Sequence, residues 1–226
     1  MTVTRRNYRA AAAADIEKIG EALALDKENA TKLKAEGFLI AANVYFHKDM
    51  MFLYLETVSE GSGIDPDNLD PRDAKPLPED IFPETSKLLK AWPERDGDRA
   101  WCYMYPIYWH DVPEDIACWR PEITEKKTRR GRIAYLNHDK LFSYVYYHKA
   151  LVDEGLISGD RYQFIALHED ILFSFFEEPK QFTNIKKTDK ESEVIKDWMK
   201  EDPESHFDHT LSGKDNFLLL PCLFEI

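Results

Sequence analysis

The chain states one pattern twice. "FLIAANVYFHKDMMFLYLE" (Phe38–Glu56) returns as "RYQFIALHEDILFSFFEE" (Arg161–Glu178), and in both an apolar run meets His-x-Asp before a second apolar run ends on Glu. "LLKAWPERD" (Leu88–Asp96) returns as "VIKDWMKED" (Val194–Asp202), and "CYMYPIYW" (Cys102–Trp109) returns as "FLLLPCLF" (Phe217–Phe224). Three matches in the same order, each displaced by roughly a hundred residues, indicate a duplicated domain, because solenoid repeats are much shorter. Each half can then be read against the other.

The chain has 226 residues, enough for one large or two small domains with real cores. Residues 1–112 are expected to form the first repeat, 113–131 a linker, and 132–226 the second repeat. Within the first half, a helix is expected over Asp15–Glu36, with Leu23, Ala30 and Leu33 on a helical period and Gly37 ending it. Strands Phe38–Phe46 and Met50–Thr57 form a hairpin around "HKD". The Pro- and Asp-rich stretch Ser59–Asp80 reads as an exposed loop. A second helix near Glu84–Trp92 and a strand Trp101–Trp109 complete the half.

The second half repeats this order. A strand is expected at Arg132–Asn137, then a helix Lys140–Glu154 capped by Asp139 and ended by Gly155. A hairpin Tyr162–Glu177 turns at "HED". A loop Lys180–Lys190, a helix Glu191–Lys200 and a strand Asn216–Phe224 follow. Strand, helix, strand, strand, helix, strand is the ferredoxin-like order. The expected fold is therefore α+β: two ferredoxin-like βαββαβ repeats packed sheet to sheet as a tandem dimeric α+β barrel, a pseudo-dimer within one chain.

Bulk properties narrow the function. No apolar run approaches the roughly 20 residues that span a bilayer, and the N-terminus lacks the apolar core of a secretory signal. Cys102, Cys118 and Cys222 form no CxxC pair, which suits reduced thiols and a cytoplasmic location. A net charge of −12 argues against nucleic acid as a partner. The basic run Lys126, Lys127, Arg129, Arg130, Arg132 reads as a solvated linker. No phosphate loop, dinucleotide fingerprint or GxSxG is present.

Chemistry concentrates on the helix before Gly155. Leu141, Tyr144, Val145, His148, Val152 and Leu156 recur at spacings of three and four, forming one stripe that must face the sheet. Tyr144 and His148 lie one turn apart within it. Burying both requires partners, so the pair is either a bonded core pair or an acid/base pair in a pocket. Counting back from Gly37 and Gly155 sets Asp26 opposite Tyr144 and Ala30 opposite His148, so the first half lacks the pair.

"YVYYHKALVDEGLISGDRYQFIALHEDILFSFFEE", with "IKDWMK" and "FLLLPCLF" downstream, resembles the L-rhamnose mutarotase family across the second half. That resemblance implies a dimeric α+β barrel that interconverts L-rhamnose anomers without a cofactor, with homodimeric pairing. It implies His148 as catalytic histidine, Tyr144 as its partner and Trp198 as a substrate-stacking residue. Tyr162 is a further expected substrate-binding residue. The expected partner is a small sugar, with no nucleic acid, membrane, metal or cofactor. Mutarotation needs one group to take a proton from the anomeric hydroxyl while another protonates the ring oxygen, which suits a histidine.

Two other readings stand beside it: a haem- or quinol-type monooxygenase barrel, and a non-catalytic duplicated barrel binding a small ligand. "SHFDH" sets His206, Asp208 and His209 close together, residue types that can bind Zn or Fe, but no further ligand is evident and short His-rich loops are common. His47 and His168 occupy equivalent turns beside Asp49 and Asp170 and read as turn residues. Glu56 and Glu177 end equivalent strands; paired carboxylates can hydrolyse glycosides, but duplication explains this pairing.

Overall fold

A computed structural model describes residues 2–59, 72, 74–95, 97–113, 116–120, 127–179, 185–186 and 189–226. Chain order runs β1 (Thr2–Ala11), α1 (Ile16–Ala35), β2 (Leu39–His47), β3 (Met50–Ser59), α2 (Pro78–Ile81), α3 (Pro83–Ser86), β4 (Trp92–Glu94), β5 (Gly97–Arg99), β6 (Cys102–Trp109) and α4 (Ile116–Trp119). It continues with β7 (Thr128–Tyr135), α5 (Leu141–Glu154), β8 (Ile157–Ser158), β9 (Phe164–His168), β10 (Ile171–Glu178), β11 (Ile185–Lys186), α6 (Glu193–Lys200), α7 (His209–Ser212), β12 (Leu218–Leu219) and β13 (Cys222–Glu225).

The chain divides into two compact units, each α+β with antiparallel strands. One holds residues 1–104, 113–124 and 221–226; the other holds 105–112 and 125–220. In the first unit the strand order is β6-β1-β3-β2-β13, with Cys102–Met104 supplying the β6 edge. In the second it is β12-β7-β10-β9-β6, with the Tyr105–Trp109 part of β6 beside β9.

Local chemistry explains the elements. Asp15 caps α1 by accepting from Lys18 N at 3.0 Å, and Gly37 beyond the helix takes φ +82°. Ile19, Leu23 and Ala30 turn one face of α1 into the first unit's core with Val44, Leu53, Leu55 and Phe82. Both hairpins are two-residue loops, pairing His47 with Met50 and His168 with Ile171. The first loop residue has positive φ in each, Lys48 at 57° and Glu169 at 55°. A further hydrogen bond at 2.8 Å recurs beside them, Ala12 N to Asp49 O and Leu136 N to Asp170 O.

Charge is buried in the first unit and held by several hydrogen bonds. Arg6, 0% exposed, donates to Tyr8 Oη at 2.9 Å, Thr57 Oγ1 at 2.9 Å, Pro76 O at 3.0 Å and the Ala74 carbonyl. That one guanidinium fastens the segment after β3 to the sheet.

Several expectations need correction. The helix expected over Glu84–Trp92 is only the short α3, Pro83–Ser86, preceded by the equally short α2; each is opened by a proline, and Trp92 begins β4. Pro78 and Pro83 suit first helical positions and cannot continue a preceding turn. Asp139 does not cap α5; it sits in a 3-10 turn, His138–Lys140, and α5 has no side-chain cap. The strand expected at Arg132–Asn137 starts at Thr128, inside the expected linker. The final strand is broken into β12 and β13 at Pro221, which has no N–H for a ladder. Most of the two expected loops, Ser59–Asp80 and Lys180–Lys190, and Lys126 of the basic run, lie outside the described residues. Among the described residues no helix is long and apolar enough to cross a membrane.

Candidate functional site in the second unit

α5 carries the stripe read from the sequence. Tyr144, His148 and Leu151 are buried, and Leu141, Val145 and Val152 pack partly buried on the same core as Ile107, Ala134, Ile165 and Leu172. Gly155 closes the helix in the left-handed conformation, φ 65°.

Three rings surround the imidazole of His148. Tyr144 stacks on it at 3.9 Å with 22° between planes. Trp198 from α6 stands edge-on at 4.6 Å and Tyr108 from β6 edge-on at 5.4 Å. Beyond them, Tyr147 stacks on Trp198 at 6.3 Å, and His206 lies 5.8 Å from Tyr144. Tyr108 Oη reaches His110 Nε2 at 3.4 Å.

The hydrogen bonds settle the state of His148. Its Nδ1 lies 2.9 Å from the Tyr144 carbonyl, which can only accept, so Nδ1 carries the proton and donates. Burial pushes the imidazole down to about 4, so the ring is neutral near pH 7. Its lone pair is then on Nε2, and no described residue bonds that atom. On the neighbouring ring, 4.6 Å away between centroids, Trp198 Nε1 is buried with no hydrogen-bond partner among the described residues. One acceptor without a bond to a described residue and one buried donor without a partner thus stand on neighbouring rings. Burial raises both tyrosines, Tyr108 to about 12 and Tyr144 further, so both are phenols, not phenolates.

Of the four residues expected at the site, the structure brings together Tyr144, His148 and Trp198. Tyr162 is separate: it is buried in the turn before β9, with the Lys127 ammonium 5.7 Å from its ring, and makes no ring contact with the other three. Tyr108 and His110 were missed. Their signal was available, since positions two apart on a strand share a face.

The remaining candidates have other duties. His206 is fully buried between Ser143 Oγ and Pro203 O, Asp208 caps α7 by accepting from Thr210 N, and His209 Nε2 lies 3.5 Å from Glu204. No group of three or more His, Cys, Asp or Glu among the described residues is arranged to hold a metal ion. Glu56 pairs with Arg120, and Glu177 with Arg129 at 3.5 Å. His138 Nε2 meets Asp170 at 3.2 Å in the β9–β10 turn region.

No protein-family model and no curated protein matches the chain. Two solved structures resemble it. One is a "putative monooxygenase" from Lactobacillus acidophilus NCFM, with TM-score 0.42 and 9% identity, covering 100% of this chain and 96% of that one. The other is a "putative monooxygenase" from Fusobacterium nucleatum subsp. nucleatum, with TM-score 0.42 and 8% identity, covering 99% and 94%. Likeness at this level transfers no activity. The L-rhamnose mutarotase resemblance is corrected here: no family model and no curated protein supports it. The isomerase reading falls with it.

Proposed function

We propose that the chain is a tandem copy of one ferredoxin-like unit, and that its second copy binds a flat hydroxylated aromatic molecule, a phenol or quinol, and readies it for oxygenation. The duplication is supported by matching strand orders, matching hairpin turns and the paired hydrogen bonds at Ala12 and Leu136. In the first unit the helix position opposite Tyr144 is Asp26, whose carboxylate accepts from Glu84 N at 2.9 Å and Thr85 N at 2.8 Å. That copy acts as scaffold.

The observation that carries the ligand class is the orphan pair. A hydroxyl is the one common group that accepts from Trp198 Nε1–H and donates to His148 Nε2 at once. An aromatic body suits the surrounding rings of Tyr108, Tyr147 and Trp198 through offset and edge contacts. As an electron leaves the bound ring for dioxygen, its hydroxyl becomes acidic enough to give its proton to His148 Nε2. A quinol supplies all four electrons: two as one oxygen atom enters the ring, two as the other leaves as water, giving a hydroxyquinone. His148 is the proton acceptor in this scheme, and Trp198 orients the hydroxyl.

The test combines saturable tryptophan-fluorescence quenching by a panel of hydroquinones and phenols with oxygen-electrode rates. Wild type should bind at least one of them and consume oxygen above autoxidation. His148→Phe, which keeps the volume and removes the acceptor, should lower the rate by about a hundredfold. Absence of both binding and uptake overturns the reading, as does a haem absorbance band on the purified protein.

A further inference from the structure

Beneath the start of α5 lies a second constellation that the phenol site does not use. Ser143 Oγ stands 2.8 Å from Nε2 of His206. His206 is 0% exposed, yet every polar atom of its ring is engaged. Its Nδ1 lies 3.2 Å from the Pro203 carbonyl. A carbonyl cannot donate, so Nδ1 carries the hydrogen, and in the neutral ring Nε2 holds the lone pair. Ser143 must therefore be the donor in the 2.8 Å contact. Its single hydrogen is also within reach of the Lys140 carbonyl at 3.0 Å. Two acceptors compete for one proton, and the imidazole holds the shorter contact.

The histidine is rigidly placed. Asn137 Nδ2 donates to Ser205 O at 3.0 Å and to Phe207 O at 3.1 Å, and Asn137 N donates to His206 O at 2.9 Å. These bonds fix the loop on both sides of His206. Ser143 is partly exposed and occupies the third residue of a 14-residue helix whose N-terminus has no side-chain cap. An oriented serine, a histidine accepting from it and a carbonyl holding the far nitrogen are the parts of a nucleophile–base pair.

We infer that Ser143 and His206 form a nucleophile–base dyad acting on small activated carboxylic esters. Ser143 Oγ bonds to the ester carbonyl carbon as its proton passes to His206 Nε2. The carbon–alkoxy bond breaks, and the leaving alcohol takes that proton. Water, deprotonated by the same nitrogen, then releases the carboxylic acid and restores the serine.

Two probes test this on the full chain: a fluorophosphonate, with the labelled peptide located by mass spectrometry, and p-nitrophenyl acetate, followed for an initial burst. Labelling at Ser143 should exceed that of the urea-unfolded protein by about a hundredfold, the scale of positioned general-base catalysis. Ser143→Ala should lose both label and burst while melting as a folded protein. Ser143→Cys should retain the burst, since a thiol against the same imidazole is also activated. Labelling no faster than in the unfolded chain, labelling elsewhere, or a burst that survives Ser143→Ala overturns the assignment and leaves the pair as a fastening for the His206 loop.

Discussion

Arg120 grips Glu56 with two parallel donors: Nε reaches Oε2 at 2.9 Å and Nη2 reaches Oε1 at 2.7 Å. Glu56 is wholly buried, and the Tyr54 hydroxyl, itself bonded by Arg5 Nε at 3.0 Å, donates to the same carboxylate. The pair ties the segment after α4 to β3. Glu56→Gln keeps the shape and removes the charge, leaving Arg120 uncompensated. Arg120 is 15% exposed and can partly rehydrate, so the loss should sit at the low end for a broken buried pair, about 3 kcal/mol in urea denaturation.

Acid should weaken this fastening. Burial alone would raise the Glu56 carboxyl, but Arg120, Arg5 and the Tyr54 hydroxyl together hold it below its ordinary value. A depressed carboxyl stabilises fully above the unfolded-state value and loses that contribution as pH falls through the folded one. Stability measured below about pH 4.5 should therefore fall less steeply in Glu56→Gln than in wild type.

His148 acts on a different pH range. Its folded value of about 4 lies under the ordinary 6.5 because burial disfavours the cation. As pH falls from about 6.5 to 4 the unfolded chain gains a proton that the folded chain refuses, so stability drops, by at most about 3 kcal/mol. His148→Phe should flatten the stability profile across that interval. A wild-type profile that is already flat there would show the imidazole to be hydrated.

A side chain at residue 159 should disturb the aromatic cluster. A Cβ on Gly159 would stand 2.2 Å from His110 Nε2, so the ring must move and its 3.4 Å contact with Tyr108 Oη is lost. Gly159→Ala is expected to cost about 1–2 kcal/mol, because His110 is partly exposed and can swing aside. Near-ultraviolet circular dichroism should change with it.

Ser192 joins the two helices of the candidate site. Its hydroxyl oxygen accepts from Ile195 N at 3.0 Å as the cap of α6, and the hydroxyl donates to Glu154 at the end of α5. Ser192→Ala should remove about 1 kcal/mol and loosen Trp198, weakening any phenol quenching more than it lowers the melting temperature.

The hairpins were legible because alternating apolar runs and a short polar turn specify them locally. α1 and α5 were legible from their stripes and from Gly37 and Gly155. The opening strand β1 was obscured: Arg5, Arg6 and Arg9 are buried there, and an arginine in sequence looks like a solvent-facing residue. The stretch Glu84–Trp92 looked helical from its composition, while the consequence of Pro78 and Pro83 depended on neighbours far along the chain. At the site, Tyr144 and His148 could be placed on one helix face. Tyr108 and Trp198 join them from β6 and α6, and the contact from Ser143 to His206 spans 63 positions, beyond the reach of any periodic pattern.

Among the described residues the backbone of β2 finds its outer neighbour in β13, which pairs Tyr45 with Cys222 and Asn43 with Glu225. A ribosome reaches those residues after more than two hundred others, so a nascent first unit leaves one row of amides and carbonyls open throughout synthesis. Chains interrupted shortly before Pro221 would therefore be sticky along that row, and chaperone dependence should concentrate on the part of the molecule that was translated first.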